Sequence, residues 1–197
     1  AWYHWAWLLE IAGDDEEAIS AGEKTVELSP LSSFYVAWLA DQYRDAGDYE
    51  KAIELAESVI ALSPGYPVAW LVLGGVYGEQ GRFDEAIAAH EHLAGLPYWE
   101  FALGQTYAWA GQPEKALEIA KGYEQEPSKG IALAIIYAAL GDVDKTLYWS
   151  KHAREKKFAW AIGLFSYFTA TRSLLEDARI RSEAEQYPVP LVPYPKD

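Results

Sequence analysis

Few side chains in this sequence carry reactive chemistry, and their spacing decides what each can do. His90 and His92 stand two apart, on opposite sides of a helix, whereas two imidazoles sharing one metal on a helix need an i, i+4 spacing. His90 also falls at a packing position and reads as a core or boundary histidine. Gly74-Gly75-x-x-Gly78-x-x-Gly81 is glycine-rich. A phosphate-cradling loop follows a strand, but this run lies inside a helical pattern, where close helix packing is the reading. The carboxylate runs Asp14-Asp15-Glu16-Glu17 and Asp48-Tyr49-Glu50 stand at helix starts, where they offset the helix dipole. No Gly-x-Ser-x-Gly and no His-Glu-x-x-His occurs, so the common hydrolase and metalloprotease signatures are missing. With no Cys there is no disulfide or thiolate metal site. An enzyme is not expected, nor a cofactor or metal.

The elements that hold these residues are helices. In residues 67–97, Trp70, Leu73, Gly74 and Tyr77 follow the i, i+3, i+4, i+7 spacing of one helical face. Gln80-Gly81-Arg82 interrupts that face with a helix-stopping glycine. A second apolar series follows at Ala86, Ile87, His90 and Leu93, and Pro97 closes the unit. Two short antiparallel helices joined by a tight turn are implied. Such a hairpin cannot bury both apolar stripes alone, so it needs copies on either side.

The copies are present. Glycines equivalent to Gly81 are Gly13, Gly47, Gly111 and Gly141, at spacings of 34, 34, 30 and 30 residues. Eleven residues before each mark stand Trp2, Val36, Trp70, Glu100 and Gly130, and seven before stand the small residues Ala6, Ala40, Gly74, Gly104 and Ala134. Four before come Leu9, Tyr43, Tyr77, Tyr107 and Tyr137, and five after come Ala18, Ala52, Ala86, Ala116 and Thr146. Small residues at two fixed places let paired helices approach, while large ones fill the space between successive pairs.

This pattern resembles the tetratricopeptide repeat (TPR) family, whose motif runs Trp, Leu, small, Tyr, Gly, Ala, Pro at this spacing. The resemblance covers roughly residues 1–157. It implies an all-α solenoid of five hairpins, at about 1–32, 33–66, 67–97, 98–127 and 128–157. Glu100 and Gly130 depart from the leading aromatic, and Thr146 and Ser150 are polar where the family is small and apolar. The fourth and fifth units are therefore expected to pack less regularly. Residues 158–168, and then a more polar helix over 172–185 with Leu174, Leu175 and Ala178 on one side, would cap the stack through residue 186. The tail 187–197 holds four prolines and reads as extended. Ile136 to Arg181 loosely resembles the ends of repeat regions in bacterial regulators.

By the same resemblance, a concave groove is lined by the first helix of each hairpin. Its candidate lining is Tyr3, His4, Trp7, Phe34, Trp38, Asp41, Arg44, Asp45, Leu71, Val72, Glu79, Tyr98, Phe101, Gln105, Trp109, Ile131 and Ile135. One TPR subclass clamps a peptide carboxylate there with Lys and Asn. Here those places hold apolar and acidic residues, with Arg44 as the one fixed cation. The expectation is a protein–protein interaction scaffold whose aromatic groove takes an apolar or cationic peptide or a partner helix. Alternatives are a sensory or regulatory module of a longer bacterial signalling protein, or a self-associating structural subunit.

Composition bounds the partners. The net charge of −14 opposes direct nucleic-acid binding, which needs a basic surface. No apolar run reaches the roughly 18 residues needed to span a membrane, so a soluble cytoplasmic or periplasmic protein is expected. The chain starts at Ala1 and contains no Met, which points to a processed product or a fragment. Trp2 and Trp7 would lie on an uncovered N-terminal edge, so either a preceding segment or a homo-oligomer through residues 1–11 is expected to cover it.

Overall fold

A computed structural model of the chain describes residues 15–96, 98–156 and 174–185, together with Ala6 and Leu9. The expected first helix, the apolar stretch 158–168 and the proline-rich tail lie outside the described residues, apart from those two positions. Among the described residues there are ten α-helices and no strand. They are α1 (Asp15–Leu28), α2 (Ser33–Asp45), α3 (Tyr49–Leu62), α4 (Pro67–Glu79), α5 (Phe83–Glu91), α6 (Phe101–Trp109), α7 (Pro113–Tyr123), α8 (Gly130–Ala139), α9 (Val143–Glu155) and α10 (Ala178–Ala184). A 3-10 turn, Pro127–Lys129, leads into α8. The fold is all-α, of the helix-hairpin solenoid class.

Each hairpin turn is built the same way. Gly47, Gly81, Gly111 and Gly141 have φ between 71° and 80°, a left-handed conformation that costs any residue with a Cβ. Gly47 N donates to Arg44 O at 2.9 Å and Asp48 N to Tyr43 O at 2.9 Å. This pair of bonds satisfies the last carbonyls of a helix. Arg82 N with Tyr77 O, Gln112 N with Tyr107 O and Asp142 N with Tyr137 O repeat the longer bond at 2.8, 2.8 and 2.9 Å. Two of the next helices then start on a side-chain cap. Asp48 accepts from Lys51 N and Asp142 from Lys145 N, while Pro113 opens α7 where its missing N–H costs nothing.

The residues through Ala102 form one compact unit, and those from Leu103 onward form another. In unit one, α2 packs on α1, α3 and α4, and α4 packs on α3 and α5. Ala37, Ala40, Ala52, Ala56 and Ala69 are fully buried where helices touch, and Val59, Val72, Leu73 and Val76 fill the remaining space. Glu100 does not leave the leading aromatic place of its repeat empty. Trp99, one residue earlier, packs against this core. Glu100 instead accepts a hydrogen bond from Gly95 N at 3.1 Å, securing the turn after α5.

Unit two keeps the hairpin geometry despite its shorter repeats. A Cβ on Gly104 would meet Ile136 at 2.9 Å, and one on Gly130 would meet Ala153 at 3.2 Å, so both glycines mark close helix approaches. Thr146 and Ser150 are fully buried. Their hydroxyls donate to carbonyls one turn earlier, Asp142 O at 2.8 Å and Thr146 O at 2.6 Å, which removes the cost of burying them. The polar C-terminal helix differs from expectation. It begins at Ala178, which is exposed, while Leu174 and Leu175 are half-buried in the turn before it. Ile180 is the buried anchor. Glu183 pairs with Arg154 of α9, and Arg179 reaches Asp144 at 2.6 Å.

Candidate functional site

Helix α2 positions the densest group of candidate residues. Ser32 caps it by accepting a hydrogen bond from Tyr35 N, and Phe34, Trp38, Asp41 and Asp45 then fall along one stripe at helical spacing. The Phe34 and Trp38 rings meet edge to face with centroids 6.2 Å apart. One turn further on, Arg44 is held by Asp41 at 3.1 Å and Asp45 at 2.9 Å, and its Nε lies 3.8 Å from Glu79 of α4. Gly75 makes that reach possible, because a Cβ there would lie 2.8 Å from Arg44 Nη1. Three carboxylates surround one guanidinium. All four side chains are nearly buried, which makes their mutual attraction stronger than at an exposed surface.

On the other side of α4, His90 of α5 is buried against Gly74. A Cβ on Gly74 would lie 2.3 Å from the imidazole, so glycine is required here for steric room. His90 Nε2 lies 3.1 Å from Leu71 O. Burial pushes the imidazole down to about 4, and the nearby Arg44 charge acts in the same direction. This histidine is a neutral core residue. Among the described residues no group of His, Cys, Asp or Glu is placed to hold a metal ion.

The structure places the remaining candidates unevenly. Tyr3, Trp7 and the edge residue Trp2 lie outside the described residues. Phe101 is half-buried at the start of α6, and Gln105 and Trp109 are half-buried on the same helix but belong to unit two. Val72 and Ile135, expected on the groove face, are fully buried core residues instead. Both stand where a neighbouring helix covers a side chain that the repeat pattern alone leaves open.

One recurrent feature escaped the sequence reading. The tyrosine of each described repeat carries a cation over its ring: Lys51 on Tyr43, Arg82 on Tyr77, Lys115 on Tyr107 and Lys145 on Tyr137, at 4.2 to 4.8 Å. Tyr43 also donates to Glu23 at 2.6 Å and Tyr137 to Glu124 at 2.7 Å. Burial, reinforced by the Glu23 hydrogen bond, pushes the Tyr43 phenol up to about 12, and Tyr137 shifts in the same direction. The available signal was Lys eight residues after Tyr in three of the repeats.

Residues 43–95 match the family model of the tetratricopeptide repeat. That stretch matches the tetratricopeptide repeat in sequence, inside a helix-hairpin fold of the same kind. Its fold is similar to the crystal structure of a thermophilic TPR protein from Thermus thermophilus. That match has a TM-score of 0.65 at 20% identity and covers 94% of this chain and 96% of that one. No curated protein matches this chain in sequence. Among the described residues no helix is long and apolar enough to cross a membrane.

Proposed function

We propose that this chain is a binding scaffold that takes an apolar or cationic peptide segment, or a partner helix, on the first-helix face of unit one. The supporting observation is the pairing on α2 of an aromatic edge, Phe34 and Trp38, with the carboxylates of Asp41 and Asp45 one to two turns further on. The aromatic pair supplies anchor area at low entropic cost. The acidic side chains of this face would attract a ligand's cation, with their main effects on the rate and orientation of binding. Arg44 positions Asp41, Asp45 and Glu79 and so sets the direction of that attraction.

A random peptide library screened against the native protein tests this reading. Selected peptides should combine Lys or Arg with aromatic or aliphatic anchors. Phe34→Ala with Trp38→Ala should weaken a selected peptide at least about tenfold per anchor lost, with helicity retained and Glu118→Ala, exposed in unit two, without effect. A folded double variant that binds every selected peptide unchanged would remove the first-helix face from consideration.

A further inference from the structure

We infer that unit one carries a second docking surface, along the edge where its hairpins are joined, and that this edge fits a cationic amphipathic polypeptide segment. Leu28, Leu62 and Leu96 recur at intervals of 34 residues. The first two end the second helices α1 and α3. Leu28 is 63% exposed, Leu62 71% exposed and Leu96 37% exposed. In the loops that follow, Leu31 is 87% exposed and Tyr98 76% exposed. Large apolar side chains exposed singly need no explanation, but a row of them does.

Contacts place these residues on one edge. Ser33 Oγ and Ser63 Oγ lie 3.0 Å apart, which ties the loop after α1 to the loop after α3. Trp70 Nε1 donates to Pro64 O at 2.7 Å, and the Trp70 ring stacks on His92 with centroids 3.6 Å apart. The edge therefore runs from residues 28–33 through 62–64 to 92–98. Its loops close on their own backbone bonds, as in Ser32 N to Ser29 O, Tyr66 N to Ser63 O and Leu96 N to Leu93 O. Side chains, not strand pairing, are what it offers a partner.

Charge selects the occupant. The two units are electrostatically unlike. Unit one holds 18 carboxylate residues against four Lys and Arg, whereas unit two holds 12 against 12. All four cations of unit one are already ion-paired, Lys24 with Glu27, Arg44 with Asp41, Lys51 with Asp48 and Arg82 with Glu85. Residues 52–81, which include the centre of the edge, contain no Lys or Arg at all. Glu23, Glu57 and Glu91, all exposed, stand five residues before the three leucines and repeat with them. A second copy of unit one would bring like charge against like, and an anionic membrane or nucleic acid would be repelled. A segment with Lys or Arg beside an apolar stripe meets both features.

The probe is a fluorescently labelled synthetic helix of Leu and Lys, titrated by anisotropy into the whole chain. Two further peptides serve as controls, one with Glu replacing Lys and one with Ser replacing Leu. The Leu/Lys peptide should bind at least tenfold more tightly than either. Leu31→Ser with Leu62→Ser and Tyr98→Ser should remove that advantage, while Trp38→Ala on the first-helix face should leave it intact. If Trp38→Ala abolishes binding and the triple variant does not, the peptide sits on the first-helix face and the edge is not a site. Equal binding of the Lys/Ser peptide would reduce the effect to charge and overturn the proposal. So would light scattering that shows a dimer of the native chain dissolved by the triple variant, because the occupant would then be a second copy. If the triple variant loses helicity, amide shifts of the native chain decide. Changes induced by the Leu/Lys peptide at 28–33, 62–66 and 92–98 support the edge, and changes confined to other residues overturn it.

Discussion

His90 shows how one side chain reads differently in sequence and in structure. Its packing role was legible, because it falls one turn from Ala86 and Ile87 on an apolar stripe. Its neutrality was not, since that depends on burial and on the Arg44 charge, which together outweigh the opposing hydrogen bond to the Leu71 carbonyl, and these partners come from two other helices. The consequence for stability has a definite sign. The folded imidazole sits at about 4, below its ordinary 6.5, so the unfolded chain takes up a proton that the fold refuses. The contribution of neutral His90 is full above the unfolded value and is lost as the pH falls from there through about 4. Urea unfolding should show the native chain losing about 2 kcal/mol more than His90→Gln between pH 7 and pH 4.5. Equal losses would mean that other groups carry the acid sensitivity. Arg44 gives the complementary lesson. Its i, i+3 pairing with Asp41 was visible in the sequence, but Glu79 arrives from α4. The carboxylates expected on the groove face are therefore oriented by Arg44, a role that their spacing alone does not reveal.

At the scale of elements, the sequence was read well where local chemistry decides the structure. The hairpin expected over 33–66 holds helices Ser33–Asp45 and Tyr49–Leu62, because a cap starts each and a glycine ends the first. The reading was weaker where a tertiary contact decides. Trp99 takes over from Glu100, and α10 starts six residues later than expected because Ile180 supplies its anchor against the rest of unit two. Two glycines on and after α4 separate these regimes. At Gly81 a Cβ would meet nothing within 4 Å, so alanine there costs only backbone strain at φ 74°, about 1–2 kcal/mol. Gly74 is a mid-helix position where alanine would normally stabilise by roughly 1 kcal/mol, yet its Cβ would lie 2.3 Å from the His90 ring. Gly74→Ala should therefore lower the midpoint of thermal unfolding, and His90→Ala in the same chain should recover part of that loss. Gly81→Ala should be insensitive to the second change. A Gly74→Ala chain more stable than the native one would mean that α4 and α5 separate easily, contrary to the packing described.

At the scale of the whole molecule, the net charge of −14 is an average that conceals its distribution. The acidic excess lies entirely in unit one, and unit two is balanced. Composition alone suggested only a cationic partner. The division was countable in the sequence once the boundary near Ala102 was known, and that boundary comes from tertiary contacts. An excess of one sign favours solubility but opposes compaction through self-repulsion. Salt at about 1 M shortens the screening distance to roughly 3 Å, from about 30 Å at 0.01 M. The surface ion pairs of unit one, such as Lys24 with Glu27, are worth at most about 1 kcal/mol each, so their loss on screening is smaller than the relief of net repulsion. Raising sodium chloride should therefore protect amides 15–102 from hydrogen exchange, while those at 103–156 change little. Glu57→Lys with Glu91→Lys should reduce the gain in unit one and leave unit two as before. Equal gains in both units would show that salt acts through apolar burial, which both units share, and not through the charge that divides them.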